Sequence, residues 1–169
     1  TFMKLFLLRV LVLVFVLGTL NSCTADAPAS VTTPAVSQTS VPYPYTTFEN
    51  ETLTLINNYR VSIGLNALIK SDYISFKAEE HNNYMIANNV VNHNDFVARS
   101  EDIMKTLSAK YVTENVAYNY TTPKAVLDAW LASEGHKTNL EGNYTHFGLS
   151  VRENPTTGKK YYTNIFAKI

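Results

Sequence analysis

Phe147-Gly148-Leu149-Ser150-Val151 and Tyr161-Tyr162-Thr163-Asn164-Ile165-Phe166-Ala167 are the stretch that decides the fold, with Asn154-Pro155-Thr156-Thr157-Gly158 between them. Phe147, Leu149 and Val151 alternate with polar residues, and Tyr162, Asn164 and Phe166 alternate with Ile165 and Ala167. That is the period of a strand, in which successive side chains point to opposite faces. Proline fixes one backbone angle in the intervening segment and glycine tolerates a positive one, so the segment reads as a turn. The chain therefore closes on a β-hairpin.

Upstream the period changes to that of helices. Glu49 to Arg60 places Leu53, Ile56 and Tyr59 or Arg60 on one side, and Gly64 then breaks the run. Ser71 is an N-cap for a long second helix reaching about Asn89, with Ile74, Ala78, His81 and Met85 as its core stripe. From Asn92 to Ser100 the pattern fails in a polar, histidine-bearing loop; Asp102 to Leu107 fits a short helix and Tyr111 to Tyr118 a short strand. Thr122-Pro123 opens a third long helix, a capping hydroxyl before a proline whose missing N–H is not needed there. Val126, Leu127, Trp130 and Leu131 form its apolar face, and Gly135 is the expected stop. Helices packed on a small antiparallel sheet make the fold class α+β.

The first residues read differently. Lys4 and Arg9 flank and interrupt an apolar opening, and Val10 to Leu17 are uninterrupted apolar residues. A spanning helix needs about 20 such residues, so residues 1–22 read as an export signal. Leu20-Asn21-Ser22-Cys23 is similar to a bacterial lipobox, with the chain's single cysteine where lipid would be attached. Fifteen of the 22 residues from Thr24 to Tyr45 are Ala, Pro, Ser or Thr. Such a segment has too little apolar surface to offset its ordering entropy, so 23–45 reads as a lipidated cysteine with a tether. The expected domain is 46–169, and the expected location is the bacterial cell envelope, periplasmic or surface-exposed. The membrane partner is reached through the lipid on Cys23.

Composition removes several functions. Lys plus Arg and Asp plus Glu are both 14, and no basic cluster stands out, so a nucleic-acid partner is not expected. One cysteine permits neither an intrachain disulfide nor a zinc site built on several thiolates. Dinucleotide and phosphate-loop motifs are missing.

The groups able to carry chemistry are His81, His93, His136, His146 and Glu114. Glu114 lies among Val112, Val116 and Ala117, where a buried carboxylate needs a His or Arg partner. His93 and His136 fall in predicted loops at helix ends, from which side chains converge on a cleft. His81 belongs to a core stripe and reads as packed, and His146 as solvent-facing at a strand start.

The order of motifs resembles the SCP-like, or CAP, superfamily in its compact bacterial form. The resemblance is carried by Leu55-Ile56-Asn57-Asn58-Tyr59-Arg60 with Gly64-Leu65, by Ala78 to Met85, and by His93 with Phe96 and Arg99. Glu114-Asn115-Val116-Ala117, Trp130-Leu131-Ala132-Ser133 and Gly135-His136-Lys137-Thr138-Asn139-Leu140 continue it to Phe147-Gly148-Leu149 and the final strand. It implies an α-β-α sandwich with a cleft lined by two histidines and two acidic residues, onto which His93, Glu114 and His136 map. Ser133 stands where that set has its second acid, so the resemblance implies binding of a small ligand, lipid or peptide more than catalysis. His93, Glu114 and His136 are also the set that would hold a divalent ion such as zinc. The alternatives are a metal-assisted hydrolase or peptidase and a purely structural envelope domain.

Overall fold

The computed structural model describes residues 42–169. The signal segment, Cys23 and most of the tether lie outside the described residues. Nine elements follow in order: α1 (Thr47–Ser62), β1 (Ile69–Lys70), α2 (Asp72–Asn88), α3 (Phe96–Leu107), β2 (Tyr111–Tyr118), α4 (Pro123–Ala132), α5 (Glu134–Glu141), β3 (His146–Glu153) and β4 (Lys160–Lys168).

The sheet runs β1-β3-β4-β2. The expected hairpin is β3 and β4, paired antiparallel with Phe147 opposite Phe166 and Leu149 opposite Asn164. β2 pairs antiparallel with β4, Glu114 opposite Ile165. The sheet is not purely antiparallel, however: the two-residue β1 adds to β3 in parallel. Two residues are too few to show a period, which is why the sequence did not reveal them.

Helices cover both faces. Leu53 and Ile56 of α1, Val126, Leu127 and Trp130 of α4 and Leu140 of α5 pack with Phe147, Leu149, Tyr162 and Phe166. Ile74 and Ala78 of α2 and Ile103 and Leu107 of α3 pack with Ile165 and Ala167 on the other side. The result is an α-β-α sandwich with two cores. This explains why Tyr161 to Ala167 are all buried although their pattern alternates; each face of a central strand meets its own helical layer. Gly148 lets α2 come close: a Cβ there would stand 2.4 Å from the Ser75 nitrogen and 2.6 Å from the Ile74 carbonyl carbon.

Local chemistry sets the helix ends. Thr46 caps α1 in a reciprocal capping box with Glu49, Ser71 caps α2, and Thr122 caps α4 ahead of Pro123. Three boundaries depart from expectation. α3 begins at Phe96, inside the expected loop, because its own turns are amphipathic only from Ser100 onward, with Ser100, Ile103 and Leu107 buried. α4 stops at Ala132, and Gly135 lies inside the unexpected α5. Only Leu140 of α5 is buried, so this helix has no apolar stripe to announce it. The packed chain also starts before Thr46. Tyr43 is buried, its hydroxyl donates to Glu49 Oε1 at 3.0 Å and accepts from Arg152 Nη2 at 2.7 Å.

Candidate functional site

β2 is an edge strand, and its open side is closed by side chains rather than by another strand. Trp130 Nε1 donates to the Val116 carbonyl at 3.0 Å and Asn139 Nδ2 to the Glu114 carbonyl at 3.1 Å. α4 and α5 thus satisfy edge acceptors that would otherwise recruit a foreign strand.

Alternation along β2 sends Glu114 and Asn115 to opposite faces. Asn115 faces α5: its Nδ2 donates to the His136 carbonyl at 3.0 Å, and its Oδ1 accepts from Asn139 at 2.8 Å. Glu114 faces α2 and α3, with its side chain 1% exposed. Arg99, in the first turn of α3, grips both carboxylate oxygens, Nε to Oε2 at 2.8 Å and Nη2 to Oε1 at 2.9 Å. Bidentate guanidinium–carboxylate pairing of this kind is directional and strong. His93 Nδ1 donates to Oε1 at 2.9 Å. His81 Nε2 lies 3.9 Å from the same oxygen and donates to the Asn92 carbonyl at 2.8 Å.

His136 sits in the first turn of α5, not in a loop, and its Nδ1 pairs with Ser133 Oγ at 2.7 Å. Its side chain therefore does not bond Glu114. The carboxylate stands between His93 and Arg99, where two imidazoles were expected to flank it. The physical reason is the strand alternation just described, since α5 lies on the Asn115 side. Burial, with a smaller contribution from the charge of His93, holds the His136 imidazole below its ordinary range. Burial likewise lowers His81, against the pull of Glu114. His146 is half-buried with its Nδ1 against Thr145 Oγ1 at 2.9 Å, rather than simply solvent-facing, and burial lowers it too.

Zinc does not fit the set His93, Glu114 and His136 as it stands. Among the described residues no group of three or more His, Cys, Asp or Glu side chains is placed to hold a metal ion. Glu114 has given both oxygens to Arg99, and His136 is turned to Ser133.

Two site residues escaped the reading of the sequence. The sequence signal for Arg99 is Glu114 itself, since a buried carboxylate requires a His or Arg partner. His81 lies on an apolar helical stripe that reads as packing, and that stripe leads it beside Glu114. Between α2 and α3 an open cavity of about 330 Å³ reaches His81 and Arg99 from solvent.

Comparison with known proteins places this geometry. The sequence profile described as CAP, cysteine-rich secretory protein family, matches residues 53–166. YlbC, a membrane protein of Bacillus subtilis, is 35% identical over 130 residues, covering 73% of this chain and 35% of its own length. YkwD of the same organism is 31% identical over 144 residues, covering 80% of this chain and 56% of its own. This chain thus spans about a third to a half of those relatives. A crystal structure of an extracellular SCP-domain protein from Bacillus anthracis superposes with a TM-score of 0.63 at 25% identity, over 72% of this chain and 40% of that one.

Proposed function

We propose that this chain, which belongs to the CAP family of cysteine-rich secretory proteins, is a membrane-tethered, extracytoplasmic binding module. One arrangement carries the reading: the carboxylate of Glu114 is held through both oxygens by Arg99 and through Oε1 by His93. Three N–H donors, two of them on a permanent guanidinium cation, fill most of the roughly four acceptor positions of a carboxylate and stabilise its charge, which makes Glu114 a poor general base. Because His93 Nδ1 donates to Glu114, the neutral ring keeps its Nε2 lone pair, and this side chain is 49% exposed. His136, fixed through Nδ1 by Ser133, likewise has no partner for Nε2 among the described residues. In this reading the Nε2 atoms of His93 and His136 are the groups that meet a small ligand, lipid or peptide, with Glu114 and Ser133 fixing the two rings. The export-type leader with Cys23, and the extracellular setting of the Bacillus anthracis relative, support a location outside the cytoplasm.

Protein purified from membranes should release a bound molecule on denaturation, detected by mass spectrometry and lost in His93→Ala and His136→Ala. Cys23→Ser should move the folded domain from the membrane to the soluble fraction. A Ser variant that still sediments with membranes refutes the lipid anchor. One observation favours a second reading, hydrolysis: Ser133 Oγ and His136 Nδ1 stand at nucleophile–base distance. Turnover of ester or peptide substrates that disappears in Ser133→Ala would replace the binding reading with that one.

A further inference from the structure

We infer that Arg60, which touches neither imidazole, is a positioning residue for His136: its guanidinium fixes the far end of α5 and so sets where that ring stands relative to His93. The inference rests on the binding reading above and deepens it, by naming what holds the two rings in register.

α5 has little of its own to hold it. Its eight residues are fewer than the roughly 12–15 at which an isolated helix becomes even marginal in water, and Leu140 is its one buried residue. Apart from the chain link to α4 through Ser133, polar contacts place it. Asn115 Nδ2 donates to the His136 carbonyl at 3.0 Å, and Asn139 Nδ2 donates to Asn115 Oδ1 at 2.8 Å and to the Glu114 carbonyl at 3.1 Å. All of these attachments lie along β2, so they define an axis about which a short rigid helix can still roll, carrying His136 with it. Arg60, in the last turn of α1, supplies the points off that axis. Its Nη1 donates to the Leu140 carbonyl at 2.7 Å and to the Gly142 carbonyl at 3.0 Å, and its Nε to the Asn66 carbonyl at 3.0 Å. The last carbonyls of a helix have no partner within it, and the helix dipole favours a cation there. His136 and Leu140 are four residues apart and share one side of α5, so restraint at Leu140 is felt one turn back at the imidazole. Arg60 is fully buried, its hydrogen bonds all go to carbonyl oxygens, and Nη2 has no partner among the described residues. A buried cation without a carboxylate is costly. What it adds that an apolar side chain cannot is direction, since one planar guanidinium ties the segment after α1 to the end of α5. Glu114 joins the two halves of the site: its carboxylate holds His93 and its carbonyl holds Asn139.

The test is NMR titration of the histidine rings in the folded full chain, with amide exchange as a second readout. Burial, and to a smaller degree the charge of His93, hold the His136 ring below its ordinary range. Both causes depend on where α5 stands, so in Arg60→Met the His136 midpoint should rise toward about 6.5. The midpoint of His81, in the layer on the other face of the sheet, should stay where it is. α5 amides should exchange at least roughly tenfold faster relative to those of β3 and β4, the least that losing a hydrogen bond to a charged group implies. Ile74→Ala, a core truncation on the opposite face, should lower stability without moving His136, which separates positioning from plain destabilisation. Should Arg60→Met fail to fold, Arg60→Lys keeps the charge but lacks the planar fork that spans three carbonyls, and it should show the same rise at smaller size. The inference is overturned if the His136 midpoint stays in place in the folded Arg60 variants, or if Ile74→Ala moves it as far. This readout needs no ligand. The binding reading fails separately, by the absence of any co-purifying molecule in wild type.

Discussion

Trp130→Ala removes the side chain that joins the α4 face to the β2 edge. Trp130 is 1% exposed and sits in the cluster with Leu53, Val126, Leu127 and Leu140. An indole buries roughly 200 Å², which at about 25 cal/mol per Å² is about 5 kcal/mol as an upper bound. Residual burial in the unfolded chain trims this by roughly 10–40%, to about 3–4.5 kcal/mol. The variant also strands the Val116 carbonyl, whose partner is Trp130 Nε1 at 3.0 Å, for about another 1 kcal/mol unless water reaches it. The expected loss is therefore about 3–5.5 kcal/mol, a large part of the roughly 5–15 kcal/mol available to a domain. Trp130→Phe keeps a ring and loses the hydrogen bond, so it should cost clearly less. Trp130 is the chain's one tryptophan, so urea unfolding must be followed by far-ultraviolet circular dichroism rather than fluorescence. A loss under about 1 kcal/mol in the alanine variant would mean that neither the core nor the edge depends on this contact.

Further outcomes follow from single contacts. Gly148→Ala forces a methyl group against the backbone of α2, with 2.4 Å to the Ser75 nitrogen. It should destabilise by about 3 kcal/mol, the upper part of the overpacking range, and an unchanged melting temperature would refute the close approach. Deleting residues 42–45 removes buried Tyr43 and its bonds to Glu49 and Arg152. A chain starting at Thr46 should melt measurably below one starting at Pro42, and equal melting would place the true boundary at Thr46. His81 and His136 are both held below their ordinary range, by burial first. The unfolded chain then takes up protons near pH 6.5 before the folded one does, so stability is full above that value and falls as acid is added. Urea midpoints at about pH 7.5 and about pH 5.5 should show the fall, and His81→Gln should reduce it; a midpoint that rises on acidification contradicts the burial of these rings.

Much of the fold was legible because periodicity and capping are local. Ser71 and Thr122-Pro123 mark the starts of α2 and α4, and alternation marks β2, β3 and β4, since each signal depends on neighbours within a turn or a pleat. What failed had no local signal. β1 is two residues long, and α5 buries Leu140 alone. For the same reason the α3 start was placed too late: its first turn is held by position rather than by an apolar stripe.

The sequence by itself determined α1, α2, α4 and the strands β2, β3 and β4, and that Glu114 would need a His or Arg partner; the resemblance of its motifs put His93 beside it. Composition also decided that no disulfide could brace the domain, since Cys23 is alone. Only the tertiary structure decided which cation reaches Glu114. Arg99 and His81 are distant in sequence from Glu114, and pairing of β2 with β4 fixes which of Glu114 and Asn115 faces their layer. A strand's period assigns its residues to two faces without saying which helices cover each. That choice is made by packing, which sets the carboxylate against a guanidinium and leaves His136 with Ser133 on the other side.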